Sequence, residues 1–211
     1  VDFEPDLDNG TNRVAENISD QNPGLSGIQW TDSNAIGDTT THYFYQVTAV
    51  LAAFEGDLSN KVGEYDYSVR TSATTDFNEI ALPFEPFGTA LNYASNFIAN
   101  YDFSNSLAVW DAQNQGFIQY ISVTGQTDFL LEPATPFFVN VSKDTIYTFT
   151  GKVITPNYNL YSASTVSWNV IMLPLSMDEL SMASDLYQDI PNCDGVTWWN
   201  NHQQGFGSQY T

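Results

Sequence analysis

Alternation of apolar and polar side chains organises the middle of the chain. In His42–Val50 (HYFYQVTAV), Tyr43, Tyr45, Val47 and Ala49 fall on one face and β-formers dominate throughout, which predicts a strand half-buried in an antiparallel sheet. Glu55-Gly56-Asp57 reads as a turn and Lys61–Val69 as a second strand with weaker alternation. Phe77–Phe84 (FNEIALPF) and Trp168–Leu175 (WNVIMLPL) are apolar strands closed by proline, which fits a strand end but not its middle. The period then lengthens to that of a helix. Leu91, Ala94, Phe97 and Ile98 share one helical face, as do Leu180, Ala183 and Leu186, with Ser176 or Asp178 as N-cap candidates for the later helix. Leu107–Trp110 and Phe117–Val123 form a predicted hairpin around the polar turn Asp111–Gly116. Phe129–Leu131, Pro136–Val141 and Thr145–Val153 are three further strands. Residues 1–40 are polar, acidic and rich in Asn, Asp and Gly, and read as long loops with one short strand near Ile28–Trp30.

The pattern occurs twice. Tyr67, Thr74, Asn78, Ile80, Leu82 and Pro83 recur as Tyr158, Thr165, Asn169, Ile171, Leu173 and Pro174, each 91 positions later. The spacing then drops to 89: Leu91, Ala94, Ser95, Trp110, Gln115, Gly116 and Phe117 return as Leu180, Ala183, Ser184, Trp199, Gln204, Gly205 and Phe206. Gln119-Tyr120 returns as Gln209-Tyr210. A unit of this length is a small domain rather than a solenoid turn. The first copy runs some 30 residues beyond the point matched by Thr211. The expected organisation is therefore mainly β: tandem β-sandwich-like domains, with the repeated module carrying one short helix. An acidic, partial sandwich spans 1–66, a first repeat 67–157 and a second, truncated repeat 158–211.

Tyr43-x-Tyr45-x-Val47-x-Ala49-Val50, followed by Glu55-Gly56 and Leu58-Ser59-Asn60, resembles the last two strands of a fibronectin type III domain over about residues 28–66. Trp30-Thr31-Asp32 and Gly37-Asp38 resemble the approach to that hairpin in bacterial secreted versions. The early strands of that family, with their core tryptophan, have no counterpart. The resemblance therefore implies a fragment, or a domain completed by something else. The repeat resembles a module of large secreted and surface proteins of bacteria over about residues 67–211. Its marks are the leucine-proline strand end, an Ala-Ser helix, Trp-Asp/Asn then Gln-Gly-Phe, and the closing Thr148–Gly151. That likeness implies no chemistry.

Charge narrows the partners. Five basic residues face 25 acidic ones, a formal charge of −20, so nucleic acid and anionic membrane surfaces are poor partners; both draw affinity from clustered Lys and Arg. The acidity suits a salty or divalent-rich medium outside the cell. No apolar run is long enough to insert in a membrane, and the start at Val1 without a basic-then-apolar leader reads as a mature product or an excised segment. Cys193 is alone, which fits a small buried apolar side chain.

Candidate chemistry is sparse. His42 and His202 are the only histidines, and His202 replaces Gln113 of the first copy, which marks a turn rather than a catalytic position. Asp111 becomes Asn200, again a hydrogen-bonded turn. Asp6, Asp8, Asn9 and Glu16 offer hard oxygen ligands, a weak calcium candidate and the one cofactor the sequence suggests. Asn9, Asn17 and Asn140 fit the N-glycan acceptor pattern. Trp110 and Trp199 are expected in equivalent buried places. Trp198 is the less expected aromatic and a candidate for stacking on a sugar ring. The leading expectation is a non-enzymatic structural protein of the cell surface, a subunit or segment of a filament, sheath, surface layer or adhesin, partnered by copies of itself. The alternative is an accessory carbohydrate-binding module of a secreted polysaccharide-degrading enzyme, partnered by polysaccharide.

Overall fold

The computed structural model describes residues 13–19, 30–32, 40–71, 77–88, 91–122, 127–162, 167–173, 175, 177 and 180–211. Among these the chain is mainly β, with twelve strands in four antiparallel sheets and two seven-residue helices. In chain order the elements are β1 (Phe44–Tyr45), β2 (Val50–Leu51), β3 (Phe54–Glu55), β4 (Val62–Val69), β5 (Phe77–Ala81) and β6 (Phe84–Pro86). Then come α1 (Ala94–Asn100), β7 (Ser104–Asp111), β8 (Gly116–Ile121), β9 (Pro136–Val141) and β10 (Thr145–Val153). The C-terminal part holds α2 (Ala183–Asp189), β11 (Trp199–Asn200) and β12 (Gly205–Phe206).

Residues 62–153 build a sandwich. One sheet has the order β1-β4-β10-β6 and the other β5-β9-β7-β8. Alternation places Val69, Tyr147 and Phe149 of the first sheet against Ile80, Leu107, Phe137, Val139 and Val141 of the second, all buried. The chain crosses between sheets at Leu82-Pro83, where proline ends β5 as its missing N–H requires. Helix α1 closes one end: Ala94 and Phe97 face inward, and the Phe97 ring meets Phe137, Tyr147 and Tyr101 at 5.3, 5.4 and 4.7 Å between centroids. Segment 127–131 holds the start of that helix. Asp128 accepts from the Ser95 backbone N–H and hydroxyl, and the Ala94 N–H donates to the Phe129 carbonyl.

The decisive point of the topology is that β9 and β10 are central strands. β9 lies between β5 and β7, and β10 between β4 and β6. The strand pairs β5–β7 and β4–β6 are bridged only through them. The ladders of both sheets therefore depend on residues late in the copy.

Several expectations need correction. His42–Val50 is not one strand but two short pieces, β1 and β2, and the hairpin turn falls at Ala52-Ala53, with Ala52 at φ 55, rather than at Glu55–Asp57. The repeat, which starts near Tyr67, begins within β4, a strand that pairs with β10 from Val62 to Val69 without a break. Phe129–Leu131 makes a single bridge, Tyr93 with Leu130, instead of a strand. The run Trp168–Leu175 holds no strand among its described residues. Ile28, Gly37, Asp38, Ser176 and Asp178 lie outside the described residues.

Candidate functional site: the uncovered second copy

Side-chain bonds repeat along with the sequence. Asn78 clamps Arg70, its Oδ1 accepting from the backbone N–H and its Nδ2 donating to the carbonyl, both at 2.9 Å. Asn169 does the same to Tyr161, 91 positions after Arg70, at 2.8 and 3.0 Å. The paired tyrosines both reach Met172: the Tyr67 hydroxyl donates to its Sδ at 3.9 Å and the Tyr158 hydroxyl to its backbone carbonyl. Burial raises both phenols, Tyr158 to about 12. At the turns, Asp111 Oδ1 accepts from Gln113 and Asn114 N–H, both at 3.0 Å, and Asn200 Oδ1 accepts from His202 and Gln203 N–H at 2.9 and 3.0 Å. Gln115 and Gln204 follow at φ 52 and 51. An amide oxygen serves as well as a carboxylate for these two backbone bonds, so Asn200 keeps the turn, while Asp111 uses its second oxygen to accept also from Asn114 Nδ2 at 2.8 Å. Trp110 meets Phe117 edge-on at 5.0 Å, and Trp199 meets Phe206 at 5.2 Å. Both indoles are half-buried rather than buried, which corrects the expectation.

The two copies grip each other through these turns. Gln115 accepts from the Trp168 N–H at 2.7 Å, while Trp110 Nε1 donates to the Trp168 carbonyl at 2.8 Å. In return Asn201 accepts from the Glu79 N–H at 2.8 Å and donates to its carbonyl at 3.3 Å, occupying the open edge of β5. The Trp199 ring stands on Phe138 at 5.0 Å, covering the outer face of the β5-β9-β7-β8 sheet.

Glu79 sits on that outer face, cross-strand from Phe138, and burial pushes its carboxyl up to about 7 from 4.5. Because the folded-state value is the higher one, folding favours the protonated form. The stability that Glu79 itself contributes is fully present below about 4.5 and is lost as pH rises through about 7. Glu79→Gln is expected to raise the melting temperature at pH 8 and to flatten its decline between pH 5 and 8. The ceiling is about 3 kcal/mol at 1.4 kcal/mol per pKa unit. Thermal scans of both proteins across that range check it; equal pH slopes would remove Glu79 as the cause.

Positions buried in the first copy are open in the second. Leu82 is 2% exposed and its counterpart Leu173 42%. Ile80, Ala94, Phe97 and Leu107 are buried, whereas Ile171, Ala183, Leu186 and Val196 are half-buried, and α2 buries no residue at all. The cause is topological. Residues 158–211 match β4 through β8 but contain no equivalent of β9 or β10, the strands that bridge the others. Only the β7–β8 hairpin needs neither, and among the described residues it is the one pairing that survives, as β11–β12 with the bridge Val196–Tyr210 continuing its register. Residues 154–160 and 168–172, the equivalents of β4 and β5, form no strand. The start of α2, with no counterpart of Asp128, is held by its own Asp185, which accepts from the Met182 N–H at 2.8 Å.

This register also explains Trp198. It corresponds to Val109, whose side chain packs against the first core, and it is 54% exposed because no strand covers that face. The remaining sequence candidates do not converge. Asp6, Asp8 and Asn9 lie outside the described residues, and Glu16 is exposed, 3.7 Å from Arg13. Among the described residues no group of three or more His, Cys, Asp or Glu could hold a metal ion. Asn17 is exposed at φ 53; Asn140 is half-buried in β9, its Oδ1 accepting from Asn105 at 3.5 Å. Cys193 is half-buried, not buried, and its thiol donates to the Gly195 carbonyl. His42 stacks on Tyr65 at 3.8 Å, far along the chain from His202 in the second turn. A hollow of about 280 Å3 beside α1, lined by Pro86, Phe87, Leu91, Tyr101 and Phe149 among others, admits no acid, thiol or imidazole.

Sequence reasoning found the repeat and expected its second copy, lacking strands equivalent to 129–153, to be left unclosed with bare sheet edges; it did not give the central place of β9 and β10 in the two sheets. The signal was present in the mismatch of copy lengths, once the place of β9 and β10 in each sheet is known. No protein-family model matches the chain, and no curated protein or solved structure matches it either.

Proposed function

We propose that the chain is a structural extracellular protein, a subunit or segment of a surface filament, sheath, surface layer or adhesin built from tandem β-sandwich modules, and that it has no enzymatic activity. The observation that carries this reading is the repeat itself: the second copy keeps the clamps, turns and hairpin of the first. The bonded polar side chains of the repeat clamp backbone and shape turns, which is architectural work. The charge of −20 suits solubility outside the cell. The accessory carbohydrate-binding reading draws no support from Trp198, since its position is the core-facing one of Val109.

Electron microscopy of the native material and light scattering of the purified chain test this. Extended polymers or defined oligomers are the expected result. A strictly monomeric chain that hydrolyses a polysaccharide, ester or peptide, with activity lost on changing one carboxylate or histidine, would overturn it.

A further inference from the structure

We propose that β8 is a self-pairing edge: two molecules of this chain join antiparallel along residues 116–120, about a two-fold axis at Ile118, and run their β5-β9-β7-β8 sheets into one. The inference rests on the structural reading above and names a contact through which the molecules meet.

Among the described residues, β8 is the long sandwich edge left open. The edge of β5 is taken by Asn201, which bonds the Glu79 backbone. β6 is three residues long, its Pro86 has no N–H to offer, and its Glu85 lies 3.7 Å from Lys152. β1 has two residues. β8 has six, with no charge, proline or bulge, the devices that keep edges apart. Its Phe117 is 56% exposed and its Ile118 42%. The pairing with β7 fixes which backbone groups face outward. The Ser122 N–H donates to the Asn105 carbonyl, and the register continues as Leu107 with Tyr120 and Val109 with Ile118. Bonded pairs alternate along an antiparallel ladder, so Ile118 and Tyr120 turn their backbone groups toward β7 while Phe117 and Gln119 turn theirs outward. Among the described residues no hydrogen bond reaches those outward groups.

The strand fits itself. With Ile118 on the axis, Phe117 and the partner's Gln119 exchange both main-chain bonds, and Gln119 does so with the partner's Phe117. The two Ile118 side chains form the close, unbonded pair between them and cover each other, on the same side of the sheet as Val109. Tyr120 falls opposite the partner's Gly116, where there is room: a Cβ on that glycine would meet nothing nearer than the Asn114 carbonyl oxygen at 3.9 Å. On the other face Phe117, already edge-on to Trp110 at 5.0 Å and Phe138 at 5.4 Å, lies beside the partner's Gln119 amide. Charge selects the same place. At −20, two molecules of this chain repel over most of their surface, and an uncharged strand is where they approach without setting carboxylates face to face. The contact is small beside the about 1,200–2,000 Å2 of a standard interface, so the pair forms at high concentration. A two-fold contact closes on itself, which makes it one of the two or more that an extended polymer needs.

Sedimentation and amide exchange on the full chain, from micromolar to millimolar concentration, test this. A monomer–dimer equilibrium is expected, with the Phe117 and Gln119 amides slowing at least about tenfold as the dimer forms while amides in β4, on the other sheet, keep their rates. Gln119→Pro removes an outward N–H and no bond to β7, and Ile118→Lys sets two ammonium groups on the axis. Each should abolish the dimer and leave the sandwich melting cooperatively. Should either variant fail to fold, cross-linking decides. Ile118→Cys in a Cys193→Ser background should form a disulfide dimer on mild oxidation, because unbonded pairs bring Cα atoms to about 4.5 Å, within disulfide reach; Ser122→Cys should not. A chain that stays monomeric at millimolar concentration overturns the proposal. So does a dimer that leaves the Phe117 and Gln119 amides unprotected, or one that both folded variants leave intact. The two readings fail separately. A β8 dimer that hydrolyses a polysaccharide, ester or peptide keeps this inference and sinks the structural reading; polymers in which the Phe117 and Gln119 amides stay unprotected do the reverse.

Discussion

Ile80→Asp is expected to abolish the cooperative unfolding of the first sandwich, whereas Ile171→Asp, the same change 91 positions later, should leave that transition within a degree or two. Ile80 is 2% exposed, on β5 beside β9, in the core between the two sheets. Replacing it removes about 2–3 kcal/mol of apolar burial. It also places a carboxylate in an apolar interior with no cation to meet it, a further cost of several kcal/mol. The sum reaches about 5 kcal/mol or more, the low end of the whole stability of a domain. Ile171 is half-buried, in a segment that forms no strand, so its carboxylate stays hydrated and little packing is lost. Circular dichroism and calorimetry on both variants read the difference. Similar losses at the two positions would mean that the second copy has a closed core after all.

Much of this architecture was legible in the chain, and the reasons for the failures are physical. The alternation in Pro136–Val141 and Thr145–Val153 and the helical spacing of Ala94 and Phe97 predict elements that form, because each has partners on both sides. WNVIMLPL carries as strong a strand pattern as FNEIALPF, yet only the second is a strand. Strand propensity measures fit to a pleated, half-covered neighbour, and Trp168–Met172 has no β9 to supply one. The same cause accounts for Trp198: it stands at the position equivalent to Val109, whose side chain packs against the first core, and its indole is exposed. His42–Val50 failed differently. Its two-residue pieces β1 and β2 are split because Phe44 and Tyr45 join the sheet of the first sandwich while Val50 and Leu51 turn back on Phe54 and Glu55. The side-chain clamps were half visible. Asn78 and Asn169 are polar residues kept inside apolar runs, which signals a fixed partner, although the sequence alone does not name Arg70 and Tyr161.

Amide exchange should divide the chain sharply between copies. In the dilute monomer, amides in β4, β9, β10 and the centre of β7 exchange only when the sandwich opens. Global opening of a domain costs about 5–15 kcal/mol, a protection of at least a thousandfold. The second copy has little to oppose opening. α2 is seven residues long and buries no side chain, well short of the length at which a helix holds itself in water. β11–β12 is a two-residue ladder, and an isolated hairpin is marginal at best. What anchors this region is its contact with the first copy, through Asn201 on Glu79, Trp199 on Phe138 and Trp168 on Gln115 and Trp110. Amides of 183–189 are therefore expected to exchange within about tenfold of the unfolded rate, and those near Trp199 and Trp168 somewhat more slowly. Limited proteolysis should cut within 158–211 first and leave a fragment containing 62–153 that melts as the intact chain does. Asn201→Ala should speed the second-copy cuts without moving the melting of the first sandwich. Equal protection in the two copies of a proven monomer would show that β9 and β10 are not what holds each module closed.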